Sequence, residues 1–467
     1  MWKSVRLLSP VRHQIISKRN WDSVSPDLHR AIMSADFISI DYELTGLHMK
    51  NDRYLGLDVA YSAHCEGVKA YVPVQLGICA ARFDKETETW SLTPASIYLY
   101  PSSQDESGRT FSVSTSALNF LVDNGFDCNE WISHGLSWLR PFEEQDKRRA
   151  IKARMDEILA ASSSQATSGA PEGAPTGDPF EFSSDPDKEL MESLGKRIRE
   201  WQASDSSLPL EVPMESAFTR LLAHSYIAHT FPTLFSNSVK RGDQRMLCVY
   251  QNKADLQKEQ LSSLELEMQR IDHQIGVRNL FDSISARRIP LVGHNCFYDL
   301  LHTHQSFYEE VPPHVEQFKA KWMSKFARTF DTKFLAECNE VLGGLHPPAT
   351  LKGLCDFMIE GAGGLKGLRI DPLSPQFEYA LPSSSSNDHS HDAGYDAMMT
   401  SLVFILQLRH IMERKSLKWE MIEWKGGLAK DVGGGLKVPL QEVLRQSVNR
   451  IRIVKTQPSV INLAERQ

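Results

Sequence analysis

Between Asp36 and Glu43 the side chains alternate in character, with Ile38, Ile40 and Tyr42 on one side and Ser39, Asp41 and Glu43 on the other. A period of two over this length predicts a strand whose end presents two carboxylates on a shared face. Further on, Pro290-Leu291-Val292 predicts a short buried strand, Gly293 a turn, and Leu300, Leu301, His304 and Phe307 a helix from Phe297 onward. Met399, Leu402, Val403 and Leu406 predict another helix behind His391-Asp392-Ala393-Gly394-Tyr395-Asp396. From Lys253 to Ser285, Leu261, Leu264, Met268, Ile271 and Ile275 keep three-four spacing for about two heptads, short of the three to four of a coiled coil. That stretch predicts one amphipathic helix.

The chain has 467 residues, room for two or three domains at about 150 residues each. Hydrophobic residues are 41% and charged residues 24%, and no apolar run approaches the roughly 20 residues of a membrane span, so no membrane insertion is expected. Lys and Arg total 52 against 59 Asp and Glu, a formal charge of −7, so a polyanionic partner must meet a local basic surface or bound cations. Seven widely spaced cysteines without a Cys-x-x-Cys pair argue against a disulfide framework or thiolate zinc site. A reducing compartment is the simplest reading.

The first twenty residues carry Lys3, Arg6, Arg12, Lys18 and Arg19 among apolar residues and before the first acid, Asp22, and residues 1–16 read as a basic leader. This is the composition of a mitochondrial presequence, with a frayed basic terminus and a nuclear or cytoplasmic location as the alternative. Residues 160–187 hold eighteen Ala, Gly, Pro or Ser among twenty-eight, too little apolar surface to offset ordering entropy, and read as a disordered linker. The expected organisation is a split one, with a first block at 17–159, an inserted module at 188–250 and a connecting helix at 251–285. A second block at 286–427 and a Gly-rich tail at 428–467 complete it.

Taken singly, the polar signals are ordinary. Paired carboxylates at a strand end are commonly solvated, an acid such as Asp299 in a first helical turn favours the dipole, and a His before a helix commonly caps it. His294 and Asn295 fit a satisfied loop equally well. His302-x-His304 and His389-x-His391 could start a zinc site, but neither has a Cys partner at finger-like spacing.

Their order along the chain is what distinguishes them. Asp41-x-Glu43 on a strand, Gly293-His294-Asn295 through Asp299 at a strand-helix turn, and His391 followed by Asp396 on a late helix resemble the DEDDh 3′–5′ exonucleases. The resemblance is to the poly(A)-specific ribonuclease (PARN) family within them. It extends to Asn124-Gly125-Phe126-Asp127, Phe330-Asp331-Thr332-Lys333 and the segment from Asn449 to Ala464, covering most of residues 17–465.

The resemblance implies an α/β fold, a ribonuclease H-like mixed sheet with helices on both faces, interrupted by a small inserted α+β module. It implies that Asp41, Glu43, Asp299 and Asp396 bind two Mg²⁺ ions, for which Mn²⁺ can substitute, with His391 as general base. Two ions can stabilise both the attacking and leaving oxygens of a phosphodiester, and imidazole side chains titrate near neutrality. Lys333 matches a family lysine near the RNA backbone, and His294 and Asn295 join it as RNA-binding candidates. Arg220 and His224, four apart in the inserted segment, resemble the Arg-x-x-x-His module that binds single-stranded nucleic acid.

The activity so implied is deadenylation or other 3′-end processing of single-stranded RNA with release of 5′-mononucleotides, and the family also implies a homodimer. The family's RNA-recognition domain has no counterpart within these 467 residues, so trimming of small RNAs competes with poly(A) removal. A catalytically silent RNA-binding protein and a DNA 3′ exonuclease are the alternatives from the same residues.

Overall fold

The computed structural model describes residues 15–47, 56–101, 109–163, 184–204, 208–375, 377, 379–382, 391–424 and 437–465. Most of the basic leader, most of the Ser/Gly/Pro linker, His389 and the Gly433-Gly434-Gly435 run lie outside these residues. The chain divides into two compact units, one built from residues up to Phe142 together with those from Gln274, the other from Glu143 to His273.

The first unit is organised on β1 (Phe37–Leu44), a strand paired along both edges inside a sheet and buried on both faces by helices. β2 (Pro73–Asp84) and β3 (Thr89–Tyr98) follow antiparallel. β4 (Leu210–Pro213), β5 (Phe235–Arg241) and β6 (Gln244–Tyr250) belong to the other unit. β7 (Leu291–Gly293) and β8 (Thr329–Asp331) continue parallel on the far side of β1, and β9 (Leu368–Ile370) closes the edge beside β3. The order β8-β7-β1-β2-β3-β9 is the mixed sheet expected of a ribonuclease H-like fold.

Helices cover both faces. On one, Tyr42 shares a hydrogen bond of 3.0 Å with Thr303 in the helix Phe297–Phe307. On the other, the Ser39 hydroxyl lies 2.6 Å from the Ala397 carbonyl and 2.6 Å from Ser401, both in the helix Ala393–Arg414. Sequence spacing gave that last helix one apolar side, but it is buried almost all round, from Ala393 to Met412. The helix Leu351–Gly361 packs on it opposite the sheet, and its continuous apolar run is explained by that double cover.

Several expected boundaries move. Ile16 is fully buried and paired with β3, its N–H on Ser96 and its carbonyl accepting from Tyr98, so it belongs to the fold and not to the leader. The helix expected over 253–285 is two, Lys253–Ile275 and Arg278–Ala286. Gly276 breaks it with a φ of +57°, and a Cβ there would lie 2.2 Å from the Ser137 carbonyl. Part of the expected tail is folded: the Asn449 side chain accepts from Thr329 N–H at 2.8 Å and donates to Ala327 at 3.0 Å, while strands Arg450–Arg452 and Val460–Asn462 pair antiparallel. This segment satisfies the outer backbone of β8, which as a sheet edge would otherwise be open. All seven cysteines are free.

The second unit is a three-stranded antiparallel sheet ordered β4 (Leu210–Pro213), β6 (Gln244–Tyr250), β5 (Phe235–Arg241). Helices Asp185–Ala203 and Ala217–Thr230 close a core of Met191, Ile198, Trp201, Tyr226, Leu247 and Val249. Residues 143–159, expected with the first block, also fall here. The helix Pro141–Ser163 runs along Lys253–Ile275, bridged by Arg148 to Asp272 and Arg154 to Glu267.

Candidate active site

Asp41 and Glu43 leave β1 on the face that carries Ser39, so both point towards the start of the helix Ala393–Arg414. Asp396 lies in the first turn of that helix. His391 sits just outside it in a left-handed conformation, φ +78°, and its backbone N–H donates to the Asp396 carboxylate at 3.3 Å. Glu43, His391 and Asp396 each place a ligand atom within 4.8 Å of the others. Asp299, in the first turn of the helix Phe297–Phe307, reaches the same place from the β7 side.

Electrostatics bear out the convergence. Burial pushes the Asp41 carboxyl well above its usual range, and Asp396, Asp299, Glu43 and Asp392 push it further, all charges of one sign. Glu43 is raised to about 8 by burial and then by Asp396, Asp392 and Asp299. Asp299 is raised by burial and by Asp331. Carboxyls crowded in this way stay protonated or take up cations, and an all-oxygen set of this kind fits Mg²⁺ or Mn²⁺. The five residues expected to carry the chemistry are therefore brought together.

A glycine makes this possible. Gly77 lies beside Asp41 in the sheet, and a Cβ there would come within 1.7 Å of the Ala393 carbonyl, so the helix start rests directly on the strand. Gly77→Ala is expected to lift that helix, destabilising the unit by about 1–3 kcal/mol and lowering activity with it. Urea denaturation checks this, and a variant of unchanged stability would show that the contact is not tight.

The other expected residues have contacts of their own. His294 shares a 2.9 Å hydrogen bond with Thr332, and burial, then Lys333, lowers it to about 4, so it is neutral at neutral pH and offers no cation to a phosphate. Asn295, exposed at φ +55°, gives its N–H to Asp331, and Lys333 donates to the Ala349 carbonyl at 3.2 Å. In the second unit the Arg220 guanidinium donates to the Met214 and Glu215 carbonyls at 2.7 Å, and both His224 ring nitrogens meet β5 hydroxyls, Ser236 and Ser238, at 2.8 Å. That pair braces its own module. His302 and His304 are core residues, lowered to about 3 and about 4 by burial.

Two participants were not singled out from sequence. Asp331 is a buried carboxylate that accepts backbone N–H groups from Asn295, Lys333, Phe334 and Arg452, tying the β7 and β8 loops to the C-terminal segment. Phe120, on the helix Thr115–Asp123, sets its ring edge against His391 with centroids 4.6 Å apart. The Phe-Asp-Thr-Lys string marked the first, whereas no periodicity could have marked the second.

The chain is 25% identical over 451 residues to the poly(A)-specific ribonuclease PARN of Arabidopsis thaliana, covering 86% of this chain and 64% of that protein. It is 22% identical over 399 residues to the pre-piRNA 3′-exonuclease trimmer of Bombyx mori, covering 84% and 70%. This chain thus spans less than two thirds of the length of the Arabidopsis relative. Among solved structures, the Mg²⁺- and Mn²⁺-bound form of S. pombe Pop2p covers 85% of this chain and 91% of that one at 11% identity, with a TM-score of 0.36, a superposition too loose to bear on chemistry. The ribonuclease family match spans residues 16–404, from the first buried residue into the helix that carries Asp396. The chain belongs to the CAF1 family of ribonucleases.

Proposed function

We propose that this protein is a metal-dependent 3′–5′ exoribonuclease that shortens poly(A) tails or the 3′ extensions of small RNAs, releasing 5′-mononucleotides. The carrying observation is the convergence of Asp41, Glu43, Asp299 and Asp396 from three separate elements beside His391. The names of the relatives, a poly(A)-specific ribonuclease and a 3′-exonuclease trimmer, support both substrate classes.

Two divalent ions bound by the four carboxylates would supply positive charge to the scissile phosphate and the leaving 3′ oxygen. His391 accepts the proton of the attacking water, its ring steadied by Phe120 and its backbone by Asp396. Lys333 supplies the fixed cation for the RNA backbone, and exposed Asn295 a polar contact beside it. In the second unit, Phe218 and Leu221, exposed on the Arg220 helix, offer an apolar surface for unstacked bases. A homodimer, as in the PARN family, is part of this reading.

The test is purified protein with Mg²⁺ and 5′-labelled oligo(A), mixed-sequence RNA and DNA of equal length. We expect stepwise shortening of RNA from the 3′ end with mononucleotide release, abolished by chelation. Internal cleavage, or binding without shortening, would defeat the proposal.

A further inference from the structure

The motif between His391 and Asp396 holds another acid, Asp392. We propose that Asp392 is a positioning residue: its carboxylate latches the start of the catalytic helix, and with it His391 and Asp396, onto the strands beside Asp41 and Glu43. This builds on the nuclease reading for its kinetic consequence.

Both Asp392 oxygens are committed to protein donors. Oδ1 accepts from the Ser96 hydroxyl at 2.6 Å and from the Tyr395 N–H at 3.0 Å, while Oδ2 accepts from the Gln75 amide at 2.9 Å. Ser96 is saturated in turn: having given its proton to Asp392, it accepts from the Gly394 N–H at 3.0 Å and lies 2.9 Å from the Tyr379 hydroxyl. Gln75 and Ser96 are buried on sheet strands, where polar side chains are costly unless fully bonded.

Register gives the latch its meaning. Gln75 is the direct β2 partner of Glu43, and Gly77 is the partner of both Asp41 and Ser96. The residues that hold Asp392 therefore stand in the same two cross-strand rows as the β1 carboxylates. The row of Asp41, Gly77 and Ser96 gives the helix start its bed and its anchor, and the row of Glu43 and Gln75 gives the second anchor. Asp392 thus fixes the distance between the two halves of the site, one half on the sheet and one on the helix.

The experiment compares Asp392→Ala, the double variant Gln75→Leu/Ser96→Ala, and Asp392→Asn in the full chain. Asparagine caps a helix as well as aspartate does and keeps the Oδ1 acceptor, and its amide can donate to Gln75 once that side chain turns over. For Asp392→Ala and the double variant we expect kcat to fall about a hundredfold with KM for oligo(A) within about twofold, and faster amide exchange over 391–396. Asp392→Asn should stay within about fivefold of wild type, with exchange protection intact. The proposal is overturned if Asp392→Asn falls as far as Asp392→Ala, which would make the charge itself essential, or if the double variant keeps wild-type kcat and protection. An inactive wild-type protein would instead sink the nuclease reading, and the exchange measurement would still decide the latch.

Discussion

Asp41→Asn is expected to lower turnover by at least about a thousandfold while leaving the protein folded, because the substitution removes a ligand charge and little else. The same change should have an opposite effect on stability. With no cation present, Asp41 is a carboxyl held far above its usual range by burial and by three neighbouring acids of the site, so a neutral amide of the same shape relieves repulsion. We therefore expect the metal-free variant to melt no lower than metal-free wild type, and Mg²⁺ to raise its melting temperature less. Asp396→Asn should behave alike. Turnover assays and thermal melts with and without Mg²⁺ check both halves. A variant that turns over normally would remove the carboxylates from the mechanism, and one that unfolds would make Asp41 a structural acid.

What could be read from the sequence was set by local chemistry. The alternation around Ile40 placed β1 to within a residue, and the chemistry of phosphodiester cleavage demands particular donors, so Asp41, Glu43, Asp299, His391 and Asp396 stood out once their order was seen. What escaped was decided by contacts between distant segments. Nothing near Gly77 announces that the Ala393 carbonyl rests on it, and nothing near Gly276 announces that the Ser137 carbonyl forbids a side chain there. The three-four pattern ends at Ile275, yet the expected helix runs on through that glycine, because helix periodicity carries no information about a neighbour across the fold. Arg220 and His224 show the same limit. Their spacing resembles a nucleic-acid-binding module, but it carries no information about the β5 hydroxyls and the Met214 and Glu215 carbonyls that engage them, which are set by the module's own packing.

Binding of Mg²⁺ is expected to release protons and to tighten as pH rises from 6 to 8. Glu43, raised to about 8, is mostly protonated at neutral pH without metal, and Asp41 and Asp299 are shifted the same way. A cation must displace those protons, so affinity should gain up to about tenfold per pH unit for each proton displaced, with the Glu43 contribution fading above about 8. The sign for stability is the reverse. Unfolded carboxylates titrate near about 4.3, so between there and about 8 the metal-free native state binds more protons than the unfolded chain, and its stability falls as pH rises through that window. Titration calorimetry of Mg²⁺ in two buffers of different ionisation enthalpy reads the proton release directly, and melts across pH 5 to 8 read the stability. Identical heats in both buffers, with an affinity flat across pH, would mean that the carboxylates are already ionised and the site is open to water. If protons are released, the acid limb of the activity profile at limiting Mg²⁺ belongs to the carboxylates and should move to lower pH as Mg²⁺ is raised, whereas a limb that stays where it is would mean that no proton competes with the metal.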